Sequence, residues 1–229
     1  MNAYYQDDYC TIYHGDCREI LPSLPKVDLV LTDPPYGIGM DTSIHKSAGR
    51  IQHKKIKGDD KPFDAHPLCQ QYQHCVLWGA NNYHHTLPPG GGWLVWDKRS
   101  PDGSSDKLFG WPFELAWCSR DRFARIYRIP HGAYLNADRS GRRVHPTQKP
   151  VKLMAAILKD FDGSTVLDPF MGSGTTLRAA KDLRRKCIGI EIEEKYCEIA
   201  ARRLAKGDDF ENIKTGIEKC KGVQQGFGL

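Results

Sequence analysis

The chain has no apolar stretch as long as a membrane helix, and its first residues, MNAYYQDDYC, carry neither the basic region nor the apolar run of a signal peptide. Both absences predict a soluble, intracellular protein. Gly/Ser-rich and Pro-rich linkers are missing too, so the 229 residues read as a single domain, residues 1–229, able to enclose one substantial core. CxxC pairs are absent: Cys10, Cys17, Cys69, Cys75, Cys118, Cys187, Cys197 and Cys220 are scattered. A chain of this size needs no stapling, so reduced thiols are expected. His66, Cys69, His74 and Cys75 follow no familiar ligand spacing, and no metal is expected.

A large net charge is also lacking, the formal sum being +5, but its distribution is uneven. The segment HKSAGRIQHKKIK contains Lys46, Arg50, Lys54, Lys55 and Lys57 with no acid, and Arg120, Arg122, Arg125, Arg128, Arg139, Arg142 and Arg143 crowd a later region. Such clusters suit a polyanion, because neutralising each phosphate releases counterions. A solvated basic surface is the plainer alternative.

Along the chain, CTIYHGD reads as a strand, CREILPSL as a short helix, and VDLVLT as a buried strand that stops at DPPYG. Residues 38–60 are polar, basic and rich in Gly and Ser, which predicts a mobile loop. A helix near Pro67 to His74, the strand CVLWGA, the break LPPGGG and the strand WLVWDK follow. FELAWCS and RFARIYRI read as strands that pair with each other as an antiparallel edge hairpin. VKLMAAILKDF has helical spacing; then STVLDPF, TTLRAAKDLRR, KCIGIEI and EEKYCEIAARRLAKG alternate strand and helix. That alternation implies parallel pairing with right-handed crossovers, an α/β fold with a doubly wound, mostly parallel sheet. Residues 208–229 read as a loosely held C-terminal extension.

Two loops stand out. In VLDPFMGSGTT a strand delivers Asp168, Gly172 and Gly174 let backbone approach a ligand closely, and the helix that starts near Thr175 directs free N–H groups at it. No third glycine completes GxGxxG and no GK[ST] follows, which argues against a dinucleotide or triphosphate. Glu191 ends the next strand, nineteen positions after Gly172, where an acid can accept both hydroxyls of a ribose. A carboxylate-bearing nucleoside fits this pair, and S-adenosylmethionine is such a molecule. The second loop is DPPY, Asp33, Pro34, Pro35 and Tyr36, at the end of its own strand.

DPPY, DPFMGSGTT and HPTQKP, in that order, resemble the amino-group DNA methyltransferases, and within them the beta-class order, in which the catalytic motif precedes the cofactor motif. The resemblance spans about Thr11 to Ala205. It implies a Rossmann-like S-adenosylmethionine-dependent methyltransferase fold with circularly permuted motif order, and double-stranded DNA as partner. It also implies that the DPPY strand lies beside the DPF strand. By the same resemblance Asp33, Pro34, Pro35 and Tyr36 are catalytic, with Asp33 also facing the cofactor, while Asp168, Phe170, Gly172, Ser173, Gly174, Thr175, Thr176 and Glu191 form the cofactor site. Asp16 and Cys17 match the turn that contacts its adenine, and Thr147, Gln148 and Lys149 the segment that closes over its methionine end. A plain helix cap stays open for Asp16 and a solvated surface lysine for Lys149.

In such an enzyme the amino nitrogen of the base is a poor nucleophile, its lone pair being delocalised into the ring. Asp33 and the Pro34 carbonyl would accept its two hydrogens, and Tyr36 would stack on a base flipped out of the duplex. Asp in the first position of the turn implies adenine N6; cytosine N4 is the alternative, as is a DNA-binding module without activity. A small-molecule or protein methyltransferase would not need the arginine clusters. The interval 128–144, the expected target-recognition segment, is short for the class. Lys46, Arg50, Lys54, Lys55 and Lys57, with Arg139, Arg142 and Arg143, are therefore the DNA-contact candidates. Relaxed specificity is an equal alternative. The class commonly forms homodimers, a partner that these residues do not reveal.

Overall fold

The computed structural model describes residues 2–39, 58–99, 111–130 and 148–205. The elements run β1 (Tyr5–Gln6), β2 (Cys10–His14), α1 (Cys17–Ile20), β3 (Leu29–Thr32), α2 (His66–Gln71), β4 (Cys75–Trp78), β5 (Gly92–Asp97), β6 (Phe113–Cys118), β7 (Ala124–Arg128), α3 (Val151–Asp160), β8 (Thr165–Asp168), α4 (Thr175–Asp182), β9 (Lys186–Glu191) and α5 (Glu194–Leu204). Among the described residues nine strands form one sheet in the order β1-β2-β9-β8-β3-β4-β6-β5-β7.

The apolar runs explain the centre of that sheet. Every residue of β3 and of β4 is buried, as expected of parallel strands covered on both faces. Leu29 and Leu31 join a core with Leu153 and Ile157 of α3, Leu177 of α4 and Ala200 of α5. Val30, between them, joins Ile20 of α1 and Leu68 of α2 in a second core. Period-2 alternation thus sends one strand into two layers, and the sheet is doubly wound. Among the described residues no helix is long and apolar enough to cross a membrane.

β8 lies parallel to β3, with Leu29 opposite Val166 and Val30 opposite Leu167, and parallel to β9 on its other side. The β8–α4–β9 unit steps away from β3 in one direction and the path from β3 through α2 to β4 steps away in the other. Loops leaving the carboxyl ends of β3 and β8 therefore diverge and leave a crevice between them.

The expected pairing of FELAWCS with RFARIYRI is not what forms. β6 sits between β4 and β5, antiparallel to both, and β7 runs parallel to β5 on its far side. Burial gives the reason. Ala116, Trp117 and Cys118 of β6 are buried and need neighbours on both edges, whereas four of the five residues of β7 are exposed and tolerate an edge. An antiparallel edge pair does occur at the opposite end of the sheet, between β1 and β2. The expected mobile loop is pinned where it rejoins the fold: Asp59 is 5% exposed and accepts the Gly37 amide at 2.9 Å.

Candidate active site

The crevice is a cavity of about 660 Å³. The turn after β3 enters it through Asp33, Pro34, Pro35 and Tyr36, and the turn after β8 through Asp168, Phe170, Gly172, Ser173, Thr175 and Thr176. Glu191 closes the end of β9, Asp16 and Cys17 flank it, and Gln148 and Lys149 come from the segment before α3. Gly174 lies behind the wall and caps α4 in the left-handed conformation, φ 76°. A Cβ there would stand 2.7 Å from that of Ala200 on α5. Gly172 is left-handed too, φ 51°. The glycines of the loop thus serve a backbone path that side chains would strain.

The backbone of that loop is held by side chains. The Gly172 amide donates to Glu191 Oε2 at 3.0 Å and the Glu193 amide to Oε1 at 2.8 Å. Burial nevertheless pushes the Glu191 carboxyl up to about 7. Asp168, 3% exposed, accepts from Thr32 Oγ1 at 2.7 Å and from the Phe170 amide at 3.2 Å. Desolvation raises it to about 6, and the nearby Asp33 adds to the rise. Arg203 of α5, which the motifs did not point to, ties the loop together: it donates to Ser173 Oγ at 3.3 Å, to Thr175 Oγ1 at 3.1 Å and to Gln148 Oε1 at 3.2 Å.

The turn after β3 is organised by charge. Asp33 Oδ2 lies 2.5 Å from Lys149 Nζ, and Oδ1 accepts from the Tyr36 hydroxyl at 2.6 Å. Burial raises the Asp33 carboxyl above its ordinary value against the pull of Lys149. Lys149 is itself 3% exposed, and its second counter-ion is Glu114 of β6, at 3.3 Å. Burial opposes the Lys149 charge, but Asp33 and Glu114 outweigh it and hold the ammonium above its usual range. Burial likewise acts to raise Glu114, yet Lys149 and Lys98 dominate and hold it at about 2; Lys98 Nζ is hydrogen-bonded to Oε1. Lys149 also lies 5.1 Å over the ring of Trp78. Lys149 is thus no solvated surface lysine: it is buried beside the turn after β3, where a buried ammonium must have counter-charges and these two carboxylates supply them.

Tyr36 packs against the backbone of Gly79, where a Cβ would lie 2.0 Å from the ring. Its ring centroid is 6.5 Å from that of Tyr83, which meets Phe63 edge-on at 5.0 Å, and Phe63 meets Phe170 at 5.5 Å. An aromatic row therefore links the two turns. Asp16 serves as the cap of α1, accepting from the Arg18 amide at 2.9 Å, and its ion pair with Arg18 lowers its carboxyl; it borders the cavity as well. Thr147 lies outside the described residues. So do Lys46, Arg50, Lys54, Lys55, Lys57, Arg139, Arg142 and Arg143, most of the 128–144 interval, and residues 208–229.

Glu114 had a legible signal. Along β6 it alternates onto the face of Ala116 and Cys118, and an acid at a core-facing strand position requires a cation. Arg203 and Gly79 carried no comparable mark.

Comparison with known proteins bears on this geometry. The DNA methylase family profile matches residues 95–202. YubD of Escherichia coli strain K12, named as a methylase, is 30% identical over 210 residues, which cover 83% of this chain and 88% of YubD. The chain belongs to the N6/N4 DNA methyltransferases. Among solved structures, the M1.HpyAVI–SAM complex is 25% identical with a TM-score of 0.54, covering 85% of this chain and 98% of that one. The PvuII DNA methyltransferase, cytosine-N4-specific, shares the fold at a TM-score of 0.64 and 20% identity, over 96% of this chain and 95% of its own.

Proposed function

We propose that this methyltransferase uses S-adenosylmethionine to methylate the exocyclic N6 of an adenine everted from double-stranded DNA. One observation carries the reading: Asp33 and the glycine turn after Asp168 open onto the same cavity. Its volume, about 660 Å³, falls in the range of small-molecule sites, and its donor set suits a carboxylate-bearing nucleoside. Glu191 offers its remaining acceptor capacity to ribose hydroxyls, and the first turn of α4, where Thr175 and Thr176 line the cavity, offers N–H groups. Bound there, S-adenosylmethionine supplies an electrophilic sulfonium methyl.

The chain's own residues prepare the acceptor. Asp33 and the Pro34 carbonyl take the two amino hydrogens and draw the nitrogen toward a pyramidal geometry, with its lone pair aimed across the cavity. As the N–C bond forms the methyl's bond to sulfur would break, leaving a neutral thioether; the nitrogen is transiently cationic and loses its surplus proton to water, so Asp33 acts as a placed acceptor rather than a strong base. Tyr36 presents a ring face to the everted base. Eversion costs a few kcal/mol, and stacking on an aromatic returns about 1–3 kcal/mol. Adenine rather than cytosine rests on Asp33 standing first in the turn.

The test is mass spectrometry of nucleosides from duplex DNA incubated with the protein and methyl-labelled S-adenosylmethionine. N6-methyladenine carrying the label is expected. Label in N4-methylcytosine overturns the choice of base, and DNA without label overturns the activity.

A further inference from the structure

The ion pair at the DPPY turn poses a conflict. Asp33 must receive an amino hydrogen, yet both oxygens already accept one, Oδ2 from Lys149 at 2.5 Å and Oδ1 from the Tyr36 hydroxyl at 2.6 Å, and these donors compete with the base for the carboxylate charge. Lys149 is 3% exposed, so its ammonium cannot withdraw to water; a lone charge in such a place is costly. Among the described residues one further anionic acceptor lies within reach of Nζ. Glu114 Oε2 is that acceptor at 3.3 Å, slightly longer than a charge-assisted hydrogen bond. Closing that gap needs a shift of about half an ångström.

Glu114 is built to receive the ammonium. It stands on β6 opposite Trp96, rigidly paired in the sheet. Its Oε1 is already held by Lys98, leaving Oε2 directed at Lys149. The Trp78 ring beneath Nζ stabilises the cation in either position. Tyr36, whose hydroxyl is 3.4 Å from Nζ, would follow the shift.

We propose that Glu114 is a positioning residue that draws the Lys149 ammonium off Asp33 when the target amino group arrives, so that Oδ2, relieved of its competing donor, accepts an amino hydrogen more strongly. This deepens the function proposed above and rests on it. Without the second carboxylate, Lys149 has Asp33 as its one anionic partner among the described residues and stays clamped there. Glu114 touches neither base nor donor; it acts through Lys149.

The decisive variant is Glu114→Gln, compared with wild type in single-turnover methylation of duplex DNA and in calorimetric binding of S-adenosylmethionine. The rate constant should fall about ten- to a hundredfold, the worth of one charge-assisted hydrogen bond. The dissociation constant for S-adenosylmethionine should stay within about threefold, as the glycine loop is untouched. Glu114→Asp, which keeps the charge but retracts it, should restore part of the rate. In a Lys149→Met background, Glu114→Gln should cost less than about twofold, since the residue it steers is gone.

A full rate in Glu114→Gln overturns the inference. So does an equal loss with and without Lys149, and so does a loss of cofactor affinity that matches the loss of rate. If Glu114→Gln does not fold, Glu114→Asp with and without Lys149→Met carries the same comparison. A wild-type protein that puts no methyl group into DNA overturns the proposed function instead, whereas an active wild type with an equally active Glu114→Gln overturns this inference alone.

Discussion

At the end of β8 the cavity is shaped by backbone: Gly172 in its wall and Gly174 behind it both hold left-handed conformations. At the end of β3, one strand away, the wall is charge: Asp33 and Lys149 line it, and Glu114 and Lys98 behind them continue an alternation of sign. The first arrangement suits a ligand gripped in one pose. The second suits chemistry in which hydrogen-bond partners must change during a turnover. If that division holds, damage to one turn should spare the work of the other.

The largest separation is expected from Asp33→Ala. Losing a preorganised acceptor at the reacting nitrogen should lower the methylation rate by about a hundred- to a thousandfold. S-adenosylmethionine affinity, followed by calorimetry, should remain near that of wild type; a parallel loss of affinity would erase the distinction between the turns. Tyr36→Ala should cost roughly ten- to a hundredfold in rate on duplex DNA, from about 1–3 kcal/mol of lost stacking. Its effect should be smaller on substrates whose target base is mismatched and therefore easier to evert. Gly172→Val attacks the other wall. A β-branched residue at φ 51° carries about 1–3 kcal/mol of strain, so cofactor affinity should fall about tenfold before any effect on the chemical step, the reverse of Asp33→Ala.

The smallest effect is a pH dependence. The Glu191 carboxyl is raised by burial to about 7, and hydroxyl donors on a ligand favour its ionised form. Affinity for S-adenosylmethionine should therefore be weaker below pH 7 and level off above it, up to about tenfold between pH 6 and pH 8. Glu191→Gln should flatten that profile. The same shift has the opposite sense for the empty protein. A carboxyl raised in the folded state contributes most to stability below its unfolded value, and that contribution is lost as pH rises through about 7. Thermal melts of wild type and Glu191→Gln across that window should diverge accordingly.

The two turns also differ in how far the sequence revealed them. DPFMGSGTT was legible because a left-handed backbone demands glycine and leaves a mark at fixed spacing, and Glu191 followed as the next strand end. DPPY was legible as a turn, but its electrostatic partners come from β6 and from the segment before α3, and no local pattern states which distant strand faces a carboxylate. The pairing of Lys149 with Asp33 and Glu114 was not legible for that reason. The strand order failed similarly: alternation identified β6 and β7 as strands, but the burial that sets β6 inside the sheet and β7 at its edge depends on tertiary neighbours. Arg203, which binds Ser173, Thr175 and Gln148 at once, reads in isolation as one more basic residue at a helix end.

A crystal structure with an unreactive amine analogue of S-adenosylmethionine measures the central geometry most directly. The account predicts the ribose on Glu191, the amino-acid end along the Gly172 turn, and the methyl-bearing position facing Asp33 across a gap that admits the edge of one nucleobase. An analogue seated with its adenine against Asp33, or bound outside the cavity between β3 and β8, would contradict it.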